Sequence, residues 1–179
     1  MTTPSSSSQA TALTPDAAFS LERWSASSGS DRTSRASLVL LGGGRRWYAH
    51  ANGNGAIDAL MRAVDDALAR VLPAPVELLT YNVHASGHGH ATAATVTLSV
   101  RDAGARAGAP AYPGRALHDN VLEASVVAYL DAINGLVSDR EIDVAAVAPL
   151  DGVSPDSIES EGDDARTHAR GRMMDAYNP

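Results

Sequence analysis

Glycine, a carboxylate and a helix start meet in Gly53-Asn54-Gly55-Ala56-Ile57-Asp58. The glycines let the backbone approach another group closely. The helix that follows presents unpaired amides and the positive end of its dipole, a natural place for a carboxylate. The same residues also serve a plain strand-to-helix turn, in which case nothing is bound. Asp119-Asn120-Val121 opens a second helix and offers a second place of the same kind. His84 and His118 are the histidines best suited to a site or an interface. One use of them is acid/base chemistry, and the commoner one is a structural hydrogen bond. His88-Gly89-His90 has a spacing that chelates metal on a strand, but it falls in a turn with no carboxylate at ligand spacing. No metal is expected there. Gly42-Gly43-Gly44-Arg45-Arg46 lacks the Lys-Ser/Thr of a phosphate loop and has strands on both sides, so it reads as a hairpin turn.

The elements that must position these residues follow from hydrophobic period. Ile57, Leu60, Met61, Val64, Leu68, Val71 and Leu72 lie on one stripe of a helix that Pro73 ends, with Asn54 as its N-cap and Asp58 near its positive end. Ahead of it, Phe19, Leu21 and Trp24 mark a strand whose change of parity predicts a bulge. Leu38 to Leu41 and Arg46 to Ala51 are the next two strands. After Pro73 and Pro75 the pattern restarts. Val76 to Ala85 is a strand with Leu79, Tyr81 and Val83 on one face, and Ser86-Gly87-His88-Gly89 reads as a turn. Val96, Leu98 and Val100 alternate with Thr95, Thr97 and Ser99, so that strand is buried on one face only. A short strand near Tyr112 to Leu117 precedes a second amphipathic helix from Leu122 to Val137, started by Asp119 or Asn120.

The two helices match at an offset of 65 residues, pairing Ile57 with Leu122, Asp58 with Glu123, Ala59 with Ala124, Ala63 with Ala128, Asp66 with Asp131, Ala67 with Ala132 and Leu68 with Ile133. This is an internal duplication. Each unit reads strand, strand, strand, helix, and a three-stranded sheet with one helix has too little interior to stand alone. The expected fold is α+β: two pseudo-symmetric βββα units sharing one core, covering residues 18–73 and 74–138. Residues 1–17 have almost nothing to bury and residues 139–179 are acidic and poor in aromatics, so both are expected as disordered tails. Val144 to Leu150 is apolar enough to dock on the domain.

Composition narrows the function. A formal net charge of −7 argues against nucleic acid as the main partner. The chain has no cysteine, which removes disulfides, thiolate catalysis and cysteine-bound metal. No secretion signal is visible at Met1-Thr2-Thr3-Pro4-Ser5, and no run approaches the roughly 20 apolar residues of a membrane span. A cytoplasmic protein is expected, with no cofactor and no membrane partner.

Gly53-Asn54-Gly55-Ala56-Ile57-Asp58-Ala59-Leu60, Tyr81-Asn82-Val83-His84-Ala85 and Asn120-Val121-Leu122-Glu123-Ala124-Ser125, in this order, resemble the C-terminal regulatory domain of 2-isopropylmalate synthase and of the related citramalate synthases. The resemblance spans about Phe19 to Val137. It implies two βββα units, a homodimer and a bound end-product amino acid, leucine in most members and isoleucine in citramalate synthases. The family's catalytic (β/α)₈ barrel has no counterpart in this chain, so the resemblance implies a stand-alone effector domain acting on a separate acyltransferase. Ala56 replaces the proline usual after Gly-x-Gly, while His90 and Asn120 stand where acidic residues are usual. For an amino-acid ligand the candidate set in this sequence is Gly53, Asn54, Gly55, Ala56, Ile57, Asp58, Val83, His84, Ala85, Asp119, Asn120, Val121 and Ala124. The helix starts are candidates for the carboxylate, Asp58, Glu123 or backbone carbonyls for the ammonium, and Ile57, Val83, Ala85, Val121 and Ala124 for the apolar part. Two rival expectations are a small cyclase or isomerase using His84 or His118, and a dimerising scaffold without ligand.

Overall fold

The computed structural model describes residues 18–88, 91–106 and 108–150. Strands β1 (Phe19–Gly29), β2 (Arg32–Gly42) and β3 (Arg45–Gly53) form one antiparallel sheet in sequential order and feed helix α1 (Ala56–Leu68). Strands β4 (Val76–His88), β5 (Ala91–Asp102) and β6 (Tyr112–His118) form the second and feed α2 (Val121–Asp139). The expected βββα duplication is therefore present. Residues 1–17 and 151–179, where tails are expected, lie outside the described residues.

Pairing sharpens the repeat. In the first sheet Leu21 faces Leu40 and Leu40 faces Trp47; in the second Leu78 faces Val100 and Val100 faces Tyr112. Corresponding residues thus stand 57, 60 and 65 apart in successive strands, because β4 and β5 are longer than β1 and β2 and the β5–β6 connection is longer than that between β2 and β3. Both first strands slip register at the matching place, between Leu21 and Arg23 in β1 and between Leu78 and Thr80 in β4. The first bulge is the one the parity of Leu21 and Trp24 predicts. The second makes Leu79 the skipped residue, so Leu79 does not continue the row of Tyr81 and Val83 as its spacing suggests. Ser86, Gly87 and His88 also differ from expectation: they extend β4, with Gly87 opposite Thr92 and His88 opposite Ala91. The turn itself, Gly89-His90, lies outside the described residues, and with it the second histidine of the His-Gly-His pair.

The core lies between sheets and helices. From the first unit it takes Phe19, Leu38, Leu40, Trp47, Leu60, Val64 and Leu68, and from the second Val96, Leu98, Val100, Val126, Leu130 and Ile133. Phe19 meets Trp47 edge to face at 5.5 Å between centroids, and Trp47 Nε1 donates to the Gly42 carbonyl at 2.9 Å. α2 is long and apolar enough, by length and composition alone, to cross a bilayer. In the fold most of it is buried as a core helix, which accounts for the apolar length that the sequence reading put below this threshold.

Alanine makes the close approaches. Ala59, Ala63 and Ala67 on α1, and Ala124, Ala128 and Ala132 on α2, are all buried. On β6 the approach goes further, since a Cβ built on Gly114 would collide with the Ala128 carbonyl oxygen and stand 2.8 Å from the Ala132 nitrogen.

Three contacts tie the units together. The Asn134 side chain on α2 grips the backbone of Phe19, accepting its N–H at 2.8 Å and donating to its carbonyl at 2.9 Å. Trp24 Nε1 on β1 donates to Glu123 Oε2 on α2 at 3.1 Å. Tyr129 Oη on α2 donates to Asp65 Oδ1 on α1 at 2.8 Å. Contacts at Phe19 and Trp24 on β1 answer those at Asn134 and Glu123 on α2, so β1 runs antiparallel along α2. Replacing Asn134 by Ala leaves both main-chain groups of Phe19 without that partner and is expected to cost about 1–2 kcal/mol. Urea denaturation measures it, and an unchanged midpoint would show that the grip contributes nothing.

Beyond α2, Ile142 and Val147 pack on the core and Val144 is buried within it, in a short 3₁₀ turn at Val144–Ala146. Arg45 Nη1 donates to the Val147 carbonyl at 3.1 Å, and Gly43, with φ +57, leaves room for the Val144 carbonyl, which a Cβ there would meet at 2.9 Å. The first part of the apolar stretch therefore docks on the β2–β3 turn.

Candidate ligand site at the helix starts

The start of α1 is built around Asp58. Its Oδ2 accepts the Asn54 N–H at 2.9 Å and its Oδ1 accepts from Arg62 Nε at 3.0 Å. The Asn54 amide, helped by the Arg62 guanidinium, holds the Asp58 carboxyl below its ordinary range. The N-cap is Gly55 rather than Asn54, in extended backbone and without a side-chain bond, because Asp58 reaches back to the Asn54 amide and places Asn54 outside the helix. Gly53 is glycine for space: a Cβ there would collide with the Ala59 nitrogen and stand 2.7 Å from Asp58 Oδ2. Gly55 has open space around it. Ala56 and Ile57 are half-buried, and Ile57 packs on the core. The helix ends at Leu68 rather than Leu72; Val71 and Leu72 turn back on the Leu68 carbonyl at 2.8 and 3.0 Å.

The start of α2 is capped differently. Asn120 is the N-cap, and its side chain accepts the Leu122 N–H at 2.9 Å. His118 Nδ1 accepts the Asn120 N–H at 3.0 Å, which leaves the proton of the neutral ring on Nε2, 3.3 Å from Glu123 Oε1. With Trp24 on its other oxygen, Glu123 is oriented from both sides. The Ser125 hydroxyl donates to the Val121 carbonyl at 2.6 Å, so the Tyr81 hydroxyl, 2.7 Å away, donates to it.

Sheet register decides which predicted residues meet. Tyr81, Val83 and Ala85 share the helix-facing side of β4, and across the ladder Ala85 continues through Ala94 to His118. His84 points to the opposite face, so His84 and His118 do not form a pair. Val83, Ala85, Asp119, Asn120 and Val121 remain exposed around the α2 start, Val83 to 45% and Val121 to 37%. Ala124 is fully buried and lines the core instead. Among the described residues no hydrogen bond or ion pair joins the two helix starts; the helices bond at Asp65 and Tyr129. Trp24 belongs to the site in a way the sequence does not signal, because its partner is 99 residues away. No group of three or more His, Asp or Glu side chains suited to a metal occurs among the described residues.

The fold is thus a duplicated βββα module with an oriented carboxylate and exposed apolar side chains at the start of its second helix. The chain belongs to the LeuA allosteric (dimerisation) domain family, whose model matches residues 7–137. It is similar to 2-isopropylmalate synthase of Xanthomonas campestris pv. campestris (strain B100), 37% identical over 103 residues, covering 58% of this chain and 18% of that protein. Against the Serratia proteamaculans (strain 568) 2-isopropylmalate synthase it is 29% identical over 125 residues, covering 70% of this chain and 22% of that protein. The chain thus spans about a fifth of the length of these curated relatives.

Proposed function

We propose that this domain binds a branched-chain amino acid, leucine foremost, as a homodimer, and that binding regulates a 2-isopropylmalate synthase-type acyltransferase in leucine biosynthesis in the cytoplasm. The observation that carries this reading is Glu123, held by Trp24 and His118 at the start of α2 beside exposed Val83, Ala85 and Val121. Glu123 suits an ammonium group. The first-turn amides of α2 other than that of Leu122, which Asn120 already caps, suit a carboxylate, and the exposed aliphatic side chains suit a short apolar group. At the start of α1, Asp58 is already engaged by Asn54 and Arg62, so Gly55, Ala56 and Ile57 contribute backbone and surface there. Trp24 and Glu123 come from different units, so a ligand here biases how the units sit together; differential affinity of this kind is what an effector needs.

Isothermal titration with leucine, isoleucine and valine tests the proposal. The expected result is saturable heat with one of them and a raised melting temperature. Glu123→Gln is expected to weaken binding about 10-fold or more, through loss of a charge-assisted hydrogen bond. No heat and no thermal shift with any of the three at millimolar concentration would remove the reading. Sedimentation at micromolar concentration checks the homodimer.

A further inference from the structure

The first sheet carries a second hollow on the face away from α1. Register places Ser25, Ser37 and His50 in one cross-strand row and Ser27, Arg35 and Asn52 in another. All six line a trough of about 450 Å³. Its floor is the row between them, Ala26, Ala36 and Ala51, whose side chains pack toward the core on the other side of the sheet. The helix-facing neighbours Trp24 and Ala49 do not line it, which assigns the trough to the outer face.

Among the described residues Arg35 is the only formally charged one in the lining, and neither the Arg35 nor the His50 side chain makes a hydrogen bond or ion pair with another of them. The other arginine of known partner on this face, Arg46, is spent on Glu22, to which it donates three hydrogen bonds of 2.6 to 3.1 Å. Ser25 and Ser37 bond each other at 2.8 Å, which uses one of their two hydroxyl protons and leaves the second to donate outward. A free guanidinium fork, an imidazole, a spare hydroxyl and a carboxamide around an acid-free hollow match the donors that a carboxylate or phosphate needs.

We propose that the outer face of the β1–β2–β3 sheet holds a binding site for a small anionic metabolite bearing a carboxylate or phosphate, with Arg35 as its anchor and Ser37, His50 and Asn52 as its polar contacts. This site is separate from the α2 start and does not depend on what binds there. Leucine and its aliphatic relatives do not suit it, since the described lining offers an ammonium no acid.

The test is a titration of the ¹⁵N-labelled full chain with inorganic phosphate and, separately, with citrate, at constant ionic strength and pH 7. Saturable shifts confined to the amides of Ser25, Ser37, His50 and Asn52 are expected with at least one probe. The stronger response tells phosphate from carboxylate. Arg35→Gln is expected to weaken that response 10-fold or more, and Arg46→Gln to leave it within 2-fold. Arg35 is exposed, so its replacement should not disturb the fold, and an unchanged melting temperature confirms this. Absence of saturable shifts with both probes overturns the proposal. So does an equal loss in the two variants, which would mean unspecific attraction to positive charge.

Discussion

Gly114→Ala is expected to prevent the second unit from folding. The added methyl would collide with the Ala128 carbonyl oxygen and stand 2.9 Å from the Ala132 side chain, contacts with the body of α2 rather than with a flexible side-chain end. Relief requires β6 to move off the helix, and that opens the layer of Val96, Leu98 and Val100 beneath it. Overpacking of a tight core costs about 1–3 kcal/mol when side chains can give way, and here the neighbours are main chain, so a loss of about 4 kcal/mol or more is expected. Circular dichroism and urea denaturation of Gly114→Ala beside Gly55→Ala provide the comparison, because a Cβ at Gly55 meets open space. Comparable midpoints for the two variants would disprove the close approach as the reason for glycine.

Asp65→Asn is expected to stabilise the protein at neutral pH. Burial pushes the Asp65 carboxyl up to about 6, against a downward pull from the Tyr129 hydroxyl bond and the Arg62 guanidinium and a further push from Asp66. The unfolded chain releases this proton near pH 4 and the folded chain near pH 6, so stability falls as pH rises through that window. Above it the whole penalty is present. At 1.36 kcal/mol per unit, the penalty at pH 7 is on the order of 2–3 kcal/mol. Asparagine keeps an oxygen for Tyr129 and removes the charge. The variant should therefore exceed the wild type by that amount in urea denaturation at pH 7 and match it near pH 4. An equal difference at both pH values, or a loss at pH 7, would refute the charge as the cause. The same burial and the neighbouring Asp65 carboxylate push the Tyr129 phenol far up, so it stays protonated and donates.

Local pattern carried most of the fold. The repeat is legible because Ile57/Leu122 and Ala63/Ala128 occupy the same helical positions, and packing tolerates little else there. The β1 bulge is legible because apolar residues change parity across it. Its twin in β4 is hidden, since Leu78 and Leu79 are both apolar and either could continue the row. Ser86-Gly87-His88 imitates a turn by composition, yet pairing with β5 carries the strand through it. Val71 and Leu72 fit the α1 stripe while lying past its end, because a single turn folding back on Leu68 keeps apolar residues on the same side. The site was less legible. Asn120 as a cap and Glu123 as a first-turn carboxylate can be read from spacing, but the full burial of Ala124 cannot, because a small apolar residue packed in the core looks the same in sequence as one lining a pocket. Trp24 was beyond reach, because its role depends on how one unit lies on the other.

The grip of Asn134 on Phe19 also bears on how the chain is made. Its two ends are separated by 115 residues. A ribosome releases the whole first unit well before α2 emerges, and during that interval β1 lacks the helix it lies along. Contacts so distant in sequence slow folding and leave apolar surface waiting. The first unit is therefore expected to remain incomplete on the ribosome until α2 arrives, so that the two units of the duplication fold as one.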